Sequence, residues 1–122
     1  MGNNPTVELY LSEIYADAGQ LELALKYAAD ALQKAPTSNI VKIVYAIRCV
    51  DKKDYAQALT YLPDSVTDEN LKVILVNCLE KSIADAFAKQ LFSSCRAYLQ
   101  RLQRLQPQNP IVQEYLKKLK KR

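Results

Sequence analysis

The chain has 122 residues, of which 49% are hydrophobic and 25% charged, with three cysteines, no histidine and a formal net charge of +4 at pH 7. That is the make-up of one ordinary globular domain rather than of a disordered or disulfide-stapled chain. Without histidine, nucleophile–histidine triads, histidine metal sites and the usual near-neutral acid–base catalyst are excluded, and two glycines are too few for a Walker loop or a dinucleotide fingerprint.

The N-terminus lacks the basic-then-apolar layout of a secretion signal, and no apolar run reaches the roughly 18 residues that span a bilayer, so a soluble cytoplasmic or nuclear chain is expected. "MGNNPT" fits the pattern for myristoylation of Gly2. It also fits a helix start, with Asn4 as cap and Pro5 at the first helical position. Val7, Tyr10, Leu11, Ile14 and Tyr15 then recur at helical spacing until "DAGQ", where Gly19 stops the helix. Leu21, Ala24, Leu25, Ala28 and Leu32 repeat the spacing as far as Ala35-Pro36, which predicts a helical hairpin over the first 36 residues.

Ser38 to Val50, "SNIVKIVYAIRCV", also reads as a helix, but it is apolar far beyond the stripe of about 100° that a surface helix needs. A short helix follows in "DYAQALTYLP" and is cut off by Pro63. A longer one is expected to begin near Asp68, after a Thr67 suited to N-capping, and "FSSCRAYLQRLQRLQP" reads as its hairpin partner. Asn109-Pro110 opens a last helix with Ile111, Val112, Tyr115, Leu116 and Leu119 on one side. The sum is about seven helices and essentially no strand. Cys49, Cys78 and Cys95 fall within these apolar patterns as reduced, buried thiols, with no CxxC pair among them. The carboxylates are interspersed with Lys and Arg on presumptive solvent faces. No enzymatic activity, metal or cofactor is expected.

Ala24, Ala58 and Cys95, each the small residue early in a second helix, are 34 and 37 residues apart, a period that signals a repeat array. Leu11, Ser12, Tyr15, Gly19, Ala24, Ala28, Ala31 and Pro36 stand at the signature places of one family, and the segment resembles the tetratricopeptide repeat. The resemblance implies an all-α array of antiparallel helix hairpins, an α-solenoid forming a single domain over residues 1–122. Its repeats would run over about 5–38, 39–67 and 68–108, with a capping helix over 109–122. Departures are visible: Glu8 stands where the family often has Trp, and the second repeat has Ala46 and Cys49 in its first helix and Pro63 in its second. The resemblance is strong over residues 5–36 and weak between 63 and 90.

In that family the second, fifth, ninth and twelfth residues of each first helix line a concave groove. The resemblance therefore places Ile40, Ile43, Ile47 and Val50 in a partner-binding groove, joined by Leu9 and Glu13 from the first repeat and Glu80 and Phe87 from the third. Val41, Val44, Ala46 and Cys49 would pack on neighbouring helices. Burying four aliphatic side chains contributes on the order of 6 to 12 kcal/mol gross, so the stripe calls for a cover. That cover is a partner, another copy, or the ordinary core of the array. The family's clamp for acidic chaperone tails needs Lys, Asn, Asn, Lys and Arg where this chain has Leu9, Glu13, Val44, Asn77 and Lys81. Only Lys81 fits, so chaperone-tail binding is not expected. An apolar groove flanked by Glu13, Asp17 and Glu80 suits an amphipathic helix or extended apolar segment of another protein. The implied function is a non-enzymatic protein-interaction module or scaffold subunit within a larger complex.

Charge supports an alternative. From Arg96 onward the net charge is +7, while the preceding 95 residues carry −3. Arg96, Arg101, Arg104, Lys117, Lys118, Lys120, Lys121 and Arg122 form a basic patch able to attract the phosphates of a nucleic acid or to serve as an import signal. The same residues also suit a solvated terminal helix, and no aromatic stacking platform accompanies them.

Overall fold

The computed structural model describes residues 4–63 and 66–121. Gly2, with its lipidation motif, and Arg122 lie outside the described residues. Among the described residues the chain is all-α: α1 (Thr6–Asp17), α2 (Leu21–Lys34), α3 (Asn39–Asp51), α4 (Tyr55–Tyr61), α5 (Glu69–Ala88), α6 (Phe92–Leu105) and α7 (Pro110–Lys120), with no strand. The chain divides into two compact units, Met1–Leu62 and Pro63–Arg122. The first holds α1 to α4 and the second α5 to α7.

Three helix pairs, α1–α2, α3–α4 and α5–α6, are closed by the same three-residue turn. Its middle residue is left-handed each time: Gly19 at φ +79°, Lys53 at +63° and Gln90 at +62°. The amide of that residue donates to the carbonyl three positions back, and the next amide to the carbonyl five back (Gln20 to Tyr15 at 2.8 Å, Asp54 to Cys49 at 2.9 Å, Leu91 to Ala86 at 2.8 Å). This is the Schellman arrangement, which satisfies two carbonyls that every helix end leaves open. Gly19, Lys53 and Gln90 are themselves 34 and 37 positions apart, so the spacing read from Ala24, Ala58 and Cys95 is also the spacing of the backbone geometry.

Small residues set the approach of the paired helices. Ser12 and Ala46 in the first two first helices, and Ala24, Ala58 and Cys95 in the second helices, are all fully buried; in α5 the corresponding residue is the larger Ile83, also fully buried. Ser12 Oγ donates to the Ala24 carbonyl at 2.8 Å, whereas in α5–α6 Cys95 Sγ donates to the Ile83 carbonyl at 3.8 Å. The same two register positions are thus bridged, with the donor moved to the opposite helix. In the first unit Tyr15 stacks on Tyr27 at 5.6 Å and Tyr45 meets Tyr61 edge-on at 5.1 Å. Glu8 binds Lys34 of α2 at 2.8 Å. That Lys34 hydrogen bond holds the Glu8 carboxyl below its ordinary range.

The second unit has a larger-residue core of Leu75, Leu79, Ile83, Leu99, Leu102 and Val112. Its first helix, α5, has 20 residues against 13 in α3. The early start near residue 68 is present, but the cap is Asp68, not Thr67. Asp68 is the extended residue directly before Glu69, and its carboxylate accepts the Leu71 amide at 3.0 Å. The N-terminal expectation needs the same one-residue correction: α1 begins at Thr6, Pro5 stands just outside it, and Asn4 Oδ1 accepts the Thr6 amide at 3.0 Å. α7 follows α6 as α3 follows α2. Ser38 and Asn109 cap the incoming helices with their side chains, each after a Pro-containing link whose last amide bonds back three residues.

The turns give a direct expectation. A left-handed backbone costs a non-glycine residue roughly 1–2 kcal/mol, part of which glycine returns as chain entropy. Lys53→Gly and Gln90→Gly should each stabilise the chain by roughly 0.5–1 kcal/mol, and Gly19→Ala should destabilise it by about 1–2 kcal/mol. Nothing lies within 4 Å of a Cβ built on Gly19, so steric clash adds nothing to the Gly19→Ala cost. Urea denaturation of the three variants checks the signs.

Candidate protein-binding surface

On α1 the buried side is set by Ser12, and on α3 by Val41, Ala46 and Cys49. The two helices meet through Arg48, whose Nε donates to Ser12 Oγ at 3.2 Å while its Nη1 pairs with Asp51 at 2.9 Å. Because Ser12 Oγ also donates to the Ala24 carbonyl, one hydroxyl links α3, α1 and α2. Held in this way, the Arg48 side chain forms the wall of a pocket of about 280 Å³ whose other lining residues are Thr6, Leu9, Tyr10, Glu13 and Val44.

The structure therefore brings Leu9 and Glu13 together with Val44 and Arg48. Val44, expected to pack on a neighbouring helix, is half-buried and lines the pocket, whereas Val41, Ala46 and Cys49 are buried. Ile43 and Ile47 lie about 100° round α3 from Val44 and Arg48 and are outside this lining. Both are half-buried, as is Val50, while Ile40 is 69% exposed. The open apolar surface of α3 thus has two edges, with Ile40 between them. Arg48 and Val44 were missed in sequence because their role depends on α1. An arginine on an apolar helix reads as a break in the stripe until its hydroxyl partner, 36 residues away, is known.

In the second unit, the residues expected to line the groove have structural partners. The Glu80 carboxylate accepts from Asn109 Nδ2 at 3.0 Å and so steadies the cap of α7. Phe87 is edge-to-face with Phe92 at 5.7 Å and with Tyr115 at 5.4 Å, joining α5, α6 and α7. Asn77 and Lys81 are exposed.

The basic residues divide by environment. Lys118 pairs with Glu114 at 3.1 Å and lies over the Tyr115 ring at 4.7 Å, and its ammonium pKa is raised, chiefly by the hydrogen bond to Glu114. Arg101 is half-buried, and Arg96, Arg104, Lys117, Lys120 and Lys121 are exposed. Among the described residues no group of three His, Cys, Asp or Glu is placed to hold a metal, and no helix is long and apolar enough to cross a membrane. Comparison with models of known protein families and with curated proteins found no match.

Two measurements follow from these environments. Ser12→Ala leaves the Arg48 Nε and the Ala24 carbonyl without their buried partner, and should cost about 1–3 kcal/mol in urea unfolding. Burial pushes the Cys49 thiol up to about 11 and raises Cys95 as well. Thiolate is the reactive form, so alkylation of the folded chain near neutral pH should be slow and should accelerate with rising pH. In denaturant all three thiols should react.

Proposed function

We propose that the chain is a non-enzymatic, tetratricopeptide-like interaction module of the cytoplasm or nucleus. Its α1–α3 surface takes an amphipathic helix or extended apolar segment of another protein. Support for the repeat reading comes from the left-handed turn recurring at 34 and 37 residues and from the small residues buried in register with it. Neither was imposed by the apolar pattern alone. Support for the binding role comes from the pocket between α1 and α3.

That pocket carries the reading because of its chemistry. Leu9, Tyr10 and Val44 supply apolar walls. Arg48 is committed to Ser12 and Asp51, leaving Glu13 as the exposed charge on the rim. Such a site buries apolar side chains at helical or alternate-residue spacing and favours a basic residue beside Glu13. It does not suit an acidic tail. A phosphate-binding role for α6 and α7 has weaker support, since Lys118 is already engaged and no stack of exposed aromatic rings borders the other bases.

The test is retention of partners from a cell extract, followed by mapping of the retained segment and direct affinity measurement with that peptide. The parent is compared with an Ile40→Asp, Val44→Asp variant whose helicity and melting are checked first. An apolar helical or extended segment that binds the parent and loses at least about tenfold affinity, roughly 1.4 kcal/mol, in the variant is the expected result. Equal affinity for a folded variant would contradict the reading, as would retention of nucleic acid alone.

A further inference from the structure

α7 stands to α6 as α3 stands to α2, 71 positions earlier, down to the side-chain caps Ser38 and Asn109. In the first unit α3 is covered by α4. Tyr61 packs edge-on against Tyr45 at 5.1 Å, and Gln57 reaches the Tyr45 hydroxyl at 3.5 Å. The residue of α7 corresponding to Tyr45 is Leu116, and it is exposed. α6 and α7 frame an uncovered depression of about 360 Å³, with Leu99, Leu116 and Leu119 in its lining together with Arg96 and Lys120. By the same offset Lys117 and Lys120 stand where Ala46 and Cys49 are buried in α3, so the uncovered face of α7 is basic as well as apolar.

α1 presents a helix of matching chemistry. Val7, Tyr10 and Ile14 are 63%, 64% and 59% exposed. Their i, i+3, i+7 spacing puts them on one stripe, and Val7 and Ile14 lie about 140° or more round from Ser12, the residue that meets α2 and α3. This stripe of α1 is apolar and uncovered, and an exposed apolar face of that kind calls for a cover. α1 carries three acids and no base, whereas α6 and α7 together carry six bases and one acid. Glu13 and Asp17 on the one side, and Arg96 and Lys120 on the other, have no ion-pair partner among the described residues.

We propose that α1 of one copy seats in the α6–α7 depression of a second copy, so that the chain associates with itself head to tail. Each copy has one donor helix and one acceptor slot on different surfaces. The contact is therefore heterologous, and growth continues until a ring closes. Charge pairing of Glu13 and Asp17 with Arg96 and Lys120 sets orientation and makes the association weaken with salt. The contact uses the outer side of α1 and shares Tyr10 and Glu13 with the proposed partner surface, leaving Leu9 and Val44 to that surface alone, so the two contacts compete for α1.

The test is sedimentation velocity of the full chain over a concentration series, at about 0.1 M and about 1 M salt. Two charge-reversed variants accompany it, Glu13→Lys with Asp17→Lys, and Arg96→Glu with Lys120→Glu. All four positions are exposed, and circular dichroism confirms folding first. Expected are a mass that rises with concentration for the parent, less so at high salt, and association at least about tenfold weaker for each variant alone. An equimolar mixture of the two variants should associate again, because each reversed helix then meets a reversed slot. A parent that stays monomeric throughout overturns the proposal. So does a variant that associates like the parent, or a mixture that fails to recover.

Discussion

The organising constraint is the three-residue turn with a left-handed middle residue, used at Gly19, Lys53 and Gln90. A link that short leaves the second helix no choice but to lie back along the first. The Schellman hydrogen bonds fix the angle at which it does so. Close parallel lines of backbone then require small or hydrogen-bonded residues at the contact, which is why Ser12, Ala24, Ala46, Ala58 and Cys95 are all fully buried. Lys53 and Gln90 adopt the strained conformation without the benefit of glycine. The packing of their hairpins therefore outweighs the local cost.

From that constraint follows the chemistry of the surface. Once α1 lies on α2, Ser12 Oγ is directed at the Ala24 carbonyl and is left with a lone pair that Arg48 Nε fills. The guanidinium is thereby fixed as a wall of the α1–α3 pocket instead of being a mobile surface charge. Its remaining partner, Asp51, is on its own helix. What is left open in the pocket is apolar surface with one carboxylate, Glu13, on the rim. The apolar character of the pocket is thus a by-product of how the hairpin satisfies its own polar groups.

Much of the fold was legible because it is written in local signals. Gly19, Pro36, Pro63 and Asn109-Pro110 punctuate the helices, and the spacing of Ala24, Ala58 and Cys95 reports the repeat. Boundaries slipped by one residue at Thr6 and Asp68, because only backbone geometry decides which of two neighbouring residues is the last one outside the helix. The surface was less legible. Val7, Tyr10 and Ile14 are as apolar as Leu11 and Tyr15, so periodicity alone does not say which stripe of α1 faces α2. On α3, an apolar face wider than one contact left Val44 and Ile43 equivalent until Arg48 defined the side towards α1. Phe87 reads as a groove residue from its register alone, but its ring is engaged by Phe92 and Tyr115, partners 5 and 28 residues further along the chain.

The first unit folds completely while leaving the outer side of α1 and the start of α3 uncovered. Hydroxyl-radical footprinting of the dilute chain, read residue by residue, measures this directly. Tyr10, Ile14 and Ile40 should be modified many times faster than Val41, Leu75 and Leu79, and Tyr10 faster than Tyr15 and Tyr27, which stack on one another. If Tyr10, Ile14 and Ile40 were as protected as Val41 in a dilute monomer, these surfaces would be internal core, and the proposed docking role would be contradicted.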